Sequence, residues 1–209
     1  MKKVSILVVV TVLAIGDALG LPIDFNNLTF GARVGVNFSN QIHKSTEMDF
    51  KRKPGIQIGI VGDYSLKRSF IVQSGILFSQ QGYTAEIPFF AKEVVTLNYI
   101  QIPVNLQYKR SVDVGEVHWM VHAGPYLGLG INAKKKMNGN SEDFKFGSGK
   151  DIYLKRFDFG IGLGGGIQLN SILLGAVYNV GLAKLNNTNN IGSIKNNVLT
   201  ISLTYFFSD

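Results

Sequence analysis

The sequence predicts an all-β fold, an eight-stranded antiparallel up-and-down transmembrane β-barrel, from three observations. The first is a two-residue alternation whose non-apolar face is largely glycine. From Arg156 to Leu169 the chain reads RFDFGIGLGGGIQL, with Phe157, Phe159, Ile161, Leu163, Ile167 and Leu169 apolar and Arg, Asp, Gly or Gln mostly between them. Alternation of period two is the signature of a strand, and a face of bare glycines cannot be the packed core of a soluble sheet. The apolar face must meet lipid, and the glycine and polar face must line a closed interior. The second observation is that about eight segments repeat this split. The third is that their connections alternate between tight turns and long polar loops.

In the first segment Phe30, Ala32, Val34, Val36 and Phe38 alternate with Gly31, Arg33, Gly35, Asn37 and Ser39. The second sets Ile56, Ile58 and Ile60 against Gln57, Gly59 and Asp63. The third, from Ser69 to Gly82, has two competing phases, and Phe70, Val72, Ile76 and Phe78 are assigned to lipid. In the fourth, Ile100, Ile102, Val104, Leu106 and Tyr108 oppose Gln101, Asn105 and Gln107. The fifth places Val117, Trp119, Val121, Ala123, Leu127, Leu129 and Ile131 against His118, His122, Gly124, Gly128 and Gly130. The sixth is the glycine-rich segment above. In the seventh, Ile172, Leu174, Ala176, Tyr178, Val180 and Leu182 alternate with Gly175, Asn179 and Gly181. The eighth sets Leu199, Ile201, Leu203, Tyr205 and Phe207 against Thr200, Ser202 and Thr204. Each spans about ten residues, the length a tilted strand needs to cross a bilayer.

Tight turns are expected at Leu66–Arg68, Arg110–Gly115 and Asn170–Ser171, and long loops at Asn40–Lys53, Thr84–Val94, Asn132–Leu154 and Asn186–Asn196. Short turns on one side and long loops on the other match outer-membrane barrels, with the short side toward the periplasm. The start of the chain fits that destination. Lys2 and Lys3 precede an apolar run from Val4 to Ile15, and Asp17-Ala18-Leu19-Gly20 ends in small residues, so 1–20 reads as a cleaved signal peptide and 21–209 as one barrel domain. The apolar run falls short of the roughly twenty residues a membrane helix needs. Cysteine is absent, which excludes a disulfide framework and thiolate metal sites.

Four stretches carry a family resemblance: GARVGVNFSN, LNYIQIPVNLQYK, RFDFGIGLGGGIQL and NNVLTISLTYFF. Together they resemble the PorT-type outer membrane β-barrel proteins common in Bacteroidetes, over essentially the whole chain after residue 20. The most telling piece is Leu97 to Tyr108, where Tyr99, Ile100, Ile102 and Pro103 match the family pattern. The ending, with Tyr205 and Phe207, resembles the assembly signal of outer-membrane barrels, although Ser208 and Asp209 follow it. The resemblance implies an integral protein of the cell outer membrane, inserted by the barrel assembly machinery. It implies little about activity, although the namesake is linked to a protein secretion system.

The candidate site is a polar network in the lumen made of Arg33, Asp63, Gln101, Asn105, Gln107, His118, His122, Arg156 and Asp158. Charges in a narrow interior are costly unless paired, so Arg-Asp pairs across the lumen are expected. A barrel of about eight strands is filled by side chains, and inward Tyr99, Met120 and Tyr126 point to a plugged interior. His118 and His122 are separated by four strand positions, roughly 13 Å, too far to share a metal ion. No catalytic, cofactor or metal site is expected. The one rim cluster, His43 with Ser45 and Glu47, fits no catalytic motif.

The formal net charge is +7, concentrated in loops and turns at Lys44, Lys51, Arg52, Lys53, Lys67, Arg68, Lys109, Arg110 and Lys134–Lys136. At an outer membrane such lysines face anionic lipopolysaccharide phosphates. Expected partners are outer membrane lipid, lipopolysaccharide and a protein partner of the outer loops, with no nucleic acid. The leading reading is a structural, adhesive or assembly-related barrel. The alternatives are a narrow-pore transport protein and a soluble lipocalin-like barrel with its apolar face inward.

Overall fold

The computed structural model describes residues 25–43, 49–67, 69–87, 91–112, 117–137, 140–144, 146, 155–183 and 194–207. The export segment 1–20, Ser45 and Glu47, the Asn186–Asn190 stretch and the final Ser208 and Asp209 lie outside these residues.

A short 3-10 turn, Phe25–Asn27, leads into β1 (Leu28–His43), followed by β2 (Asp49–Lys67), β3 (Phe70–Ile87), β4 (Ala91–Ser111) and β5 (Val117–Met137). Then come a small strand β6 (Asn140–Phe144), β7 (Phe157–Leu169), β8 (Ile172–Gly181) and β9 (Ile194–Phe207). Neighbours pair antiparallel in the order β1, β2, β3, β4, β5, β7, β8, β9, and β9 returns to β1. That is a closed ring of eight strands, so no edge is left to be satisfied inside lipid. The ninth strand, β6, pairs with the far end of β5, from Ala133 to Met137, and stands outside the ring.

The faces follow the alternation read from the sequence. Leu163 is 68% exposed, Phe157 60% and Ile167 59%, on the outside, while Arg33, Gln73, Gln107 and Thr200 are buried inside. An outward apolar surface of this extent cannot be left to water, and the inward-apolar lipocalin arrangement does not occur here. On β3 the lipid phase is that of Phe70, Val72, Ile76 and Phe78, with Ile71, Gln73, Gly75 and Leu77 turned inward beside the inward residues of β2 and β4. Val72 and Ser74 share the outward phase yet are buried, and the Ser74 hydroxyl donates to the Pro103 carbonyl at 2.9 Å.

One end of the ring carries the short connections. Leu169 pairs with Ile172 across the two-residue turn Asn170-Ser171, and Asn170 has φ 51°, the left-handed conformation such a turn asks of an Asn. Just inside this end sits an outward aromatic band: Phe70 against Tyr108 at 5.3 Å, Tyr108 against Trp119 at 5.7 Å, and Tyr205 against Phe207 at 5.8 Å. Such belts mark the membrane-water interface.

At the other end the strands continue further than the alternation implied. β4 and β5 have 21 residues each and β2 has 19, against 10 in β8. About ten residues suffice to cross, so β2 to β5 stand well above the bilayer. The expected loop Thr84–Val94 is mostly ladder, with Ala85 paired to Glu93 and Tyr83 to Val95. Likewise Asp49–Arg52 and Asn132–Met137 are strand. A sheet needs only backbone donors and acceptors, and beyond the lipid a polar outward face carries no penalty, so Lys and Glu continue the strand without apolar alternation. The upper edge of the apolar belt is marked on the outer surface by an amide ladder. Gln80 donates to Asn98 at 3.2 Å, and Asn98 donates to Asn132.

Candidate functional site: the lumen and its two mouths

The lumen is built from unequal walls. β7 turns Gly160, Gly162, Gly164 and Gly166 inward, whereas β4 turns in Leu97, Tyr99, Gln101, Asn105 and Gln107. The glycines leave room for large neighbours to lie flat against the wall. A Cβ at Gly160 would stand 2.6 Å from the Tyr126 ring, one at Gly164 2.3 Å from His122 Nε2, and one at Gly166 2.9 Å from Leu173. Contacts that short do not occur between real Cβ atoms and their surroundings, so these positions demand glycine for space.

Nearest the short-turn end, Val61, Leu77, Met120, Leu173 and Phe206 form an apolar cluster inside the barrel. Polar side chains are threaded among and above them. Arg33 donates through Nε to Thr204 Oγ1 at 2.9 Å and through a terminal nitrogen to Gln73 Oε1 at 2.7 Å. Gln73 in turn donates to Asp63 Oδ1 at 2.7 Å. Arg33 and Asp63 are therefore joined through an amide. The expected pairing of arginine with aspartate is carried out by a relay, because Gln73 on β3, the strand beyond β2, bonds both side chains.

Higher up, Asn37 donates to Ser79 Oγ at 3.0 Å and to the Gln80 carbonyl at 2.9 Å, and its carbonyl oxygen accepts from Thr200 at 2.8 Å. Asp158, 1% exposed, accepts from Asn196 at 3.0 Å and from the Tyr126 hydroxyl at 3.5 Å. Gln101 and Asn105 are buried on the same inward row of β4. Gln107 stands opposite His122 in register on β5. His118 lies two positions further toward the short-turn mouth than Met120 and is half-buried. Among the described residues no cluster of three or more His, Asp or Glu is arranged to hold a metal ion.

Arg156 departs from the expected set. It is exposed in a bend before β7, which begins at Phe157, so the inward phase that places Asp158 in the lumen does not extend back to it. Its contribution is a backbone one: its carbonyl accepts the Gly130 N–H at 2.7 Å. No Arg156–Asp158 lumen pair forms, and the side-chain hydrogen bonds to Asp158 come from Asn196 and Tyr126.

The outer mouth holds a residue that alternation could not have found. Phe146, in the connection after β6, packs 5.6 Å from the Tyr99 ring within a cluster of Val95, Leu97, Tyr99 and Ala133. It lies over Gly130, where a Cβ would be 2.9 Å from the ring. The only signal in the sequence is a pair of phenylalanines, Phe144 and Phe146, in a Lys-, Gly- and Asp-rich stretch. Above it, Lys135 pairs with Glu93 at 2.7 Å, and Tyr83 leans toward the same carboxylate at 3.5 Å. Burial, with Glu93 adjacent, pushes the Tyr83 phenol well above its usual range.

Residues 19–187 match the family model described as an outer membrane protein beta-barrel domain. The chain belongs to that family. An outer membrane location follows from membership, and it agrees with the lipid-facing exterior. Among solved structures the chain is similar to Neisserial surface protein A (13% identity, 85% of this chain and 97% of that one, TM-score 0.49). It is also similar to Ail, the attachment invasion locus protein of Yersinia pestis (17% identity, 86% and 98%, TM-score 0.45), and to the outer membrane protein AlkL (11% identity, 90% and 94%, TM-score 0.42). No curated protein matches the chain.

Proposed function

We propose that this outer membrane barrel is a closed structural protein whose work is done at its outer surface, as a PorT-type member contacting lipopolysaccharide and a protein partner. The observation that carries this reading is the filled lumen. Among the described residues, an apolar cluster near the short-turn mouth and a second one under Phe146 interrupt the buried polar side chains between them, an arrangement that supports a closed bore. A narrow pore needs a continuous polar route. Function then falls to the raised strands and the loops above the amide ladder, where Lys134 and Lys136 are exposed on β5. Their charge suits lipopolysaccharide phosphates, with about 1 kcal/mol for each basic residue near an anionic surface. Insertion by the barrel assembly machinery and removal of residues 1–20 as an export signal complete the proposal.

The experiment is paired. In planar bilayers the purified protein should show no steady conductance, and sustained single-channel openings would overturn the closed reading in favour of transport. In vesicles carrying lipopolysaccharide with or without its phosphates, the protein should prefer the phosphorylated form, and K134A/K136A should reduce that preference. Equal behaviour of both vesicles would remove the surface-contact part.

A further inference from the structure

The short-turn mouth of the barrel contains a cavity of about 530 Å³, lined in part by Lys109, Arg110, His118, Ser65, Ser69 and Ser111. We infer that this basin and the aromatic band beside it form a binding site for the headgroup of an anionic phospholipid of the periplasmic leaflet.

Three features converge on that ligand. The size falls within the range of small-molecule sites. It is too large for a single ion and large enough for a phosphodiester with its alcohol. The charge is right as well. No acidic residue is found among the described residues that line the cavity. The acid within electrostatic reach of Lys109 is Asp63, which already accepts from Gln73 at 2.7 Å. Among the described groups at this end, Arg33, Lys109 and Arg110 outnumber Asp63 and leave positive charge for a phosphate, with serine hydroxyls as neutral donors.

The third feature distinguishes a lipid from a soluble anion. The cavity lies across the rim, since its lining includes inward Lys109 and His118 together with Phe70, which is 47% exposed on the lipid side. Phe70, Tyr108 and Trp119 meet there in tilted, edge-type contacts across β3, β4 and β5. Arg110 reaches toward the Tyr108 hydroxyl at 3.5 Å, on this same outward row. A headgroup seated among the cations would have its acyl chains emerge along these aromatic rings, in the orientation of the leaflet. Among the described residues, the Met120, Leu173 and Phe206 cluster and the Arg33–Gln73–Asp63 relay fill the lumen beyond the basin. A bound headgroup would therefore be held and not passed on. The site rests on the outer membrane placement with short turns toward the periplasm. It does not depend on the proposed surface role.

Trp119 is the only tryptophan in the chain and stands beside the basin, so it reports directly. The full chain is reconstituted in phosphatidylcholine vesicles containing a small, equal fraction of either brominated phosphatidylglycerol or brominated phosphatidylcholine, and Trp119 quenching is compared. The expected result is stronger quenching by the anionic lipid. Its relative affinity should fall about fivefold for each of Lys109→Gln and Arg110→Gln, and Lys155→Ala, exposed at the opposite end before β7, should leave it unchanged. A gel-mobility shift on boiling verifies that each variant is a folded barrel. Equal quenching by the two lipids would overturn the proposal. So would a Trp119 response to inorganic phosphate alone in neutral detergent with no anionic-lipid preference, which would make this a free-phosphate site.

Discussion

β7 and β4 stand two positions apart in the ring and solve opposite problems. Both present apolar residues to lipid, yet the inward face of β7 is four glycines between Asp158 and Gln168, whereas that of β4 carries Tyr99, Gln101, Asn105 and Gln107. A ring of eight strands has a fixed bore. If every strand pointed large residues inward the interior would be overfilled, and if every strand were glycine it would be hollow. The molecule resolves this by assigning bulk to one wall and absence of bulk to the other. Tyr126 and His122 then lie over Gly160 and Gly164. The glycines of β7 are thus part of the same packing as the large side chains around them.

The sharpest way to break this division is to put bulk on the empty wall. Gly160→Val would drive its side chain into the Tyr126 ring and the Val180 carbonyl, where even a Cβ stands 2.2 Å away. The backbone cannot yield without opening the β7–β8 ladder. The expected cost is about 3 kcal/mol or more, read as loss of the heat-dependent gel shift or as a much lower urea midpoint in micelles. Gln101→Leu, on the full wall, should leave the barrel folded. If both variants fold equally well, the division of labour between the walls is wrong.

A second test acts on the relay that crosses between β1, β3 and β2. Arg33→Met removes the donor to Thr204 and Gln73 and leaves Asp63 with its amide partner and the more distant charge of Lys109. Breaking a buried charge arrangement from one side costs about 3 kcal/mol, while removing both charges costs less. R33M/D63N should therefore be more stable than R33M alone, a non-additivity expected of residues in one network. Urea denaturation of R33M, D63N and R33M/D63N checks it, and simple additivity would show that the relay does not couple them.

The third test concerns the plug. Phe146→Ala empties the outer mouth, but the inner cluster of Val61, Leu77, Met120, Leu173 and Phe206 remains. The variant should stay non-conducting and lose about 3 kcal/mol at most, the lower end for a buried Phe to Ala change. Steady conductance from this single substitution would mean that Phe146 alone seals the barrel.

These contrasts explain what could be read from the sequence. Inward and outward faces were legible because lipid on one side and a crowded bore on the other make period-two alternation obligatory, and Asn170-Ser171 because a two-residue hairpin needs a residue tolerant of positive φ. The tops of β2 to β5 were not, since above the bilayer nothing forces Lys135 or Glu93 to alternate with apolar neighbours. Arg156 was misplaced for the related reason that alternation says nothing about where a strand begins. The Gln73 relay was hidden because register between strands, not composition within one, brings Arg33 and Asp63 to the same amide. Phe146 was invisible because its partners, Tyr99 and Gly130, lie on the ring while it comes from a connection.

The smallest expected effect separates two partners of one buried carboxylate. Asp158 accepts from Asn196 at 3.0 Å and from Tyr126 at 3.5 Å. The second distance is at the limit of a useful hydrogen bond. Tyr126 is held by its ring against Gly160, so Tyr126→Phe keeps the packing and loses only the weak donor. That change should cost about 0.5 kcal/mol. Asn196→Ala removes the shorter bond and leaves the buried Oδ2 with only the weak tyrosine donor, at about 1–3 kcal/mol. If the order is reversed in urea titrations, the tyrosine hydroxyl sits closer to Asp158 than 3.5 Å in the membrane. The glycine wall would then serve to position a hydrogen bond as well as to admit a ring.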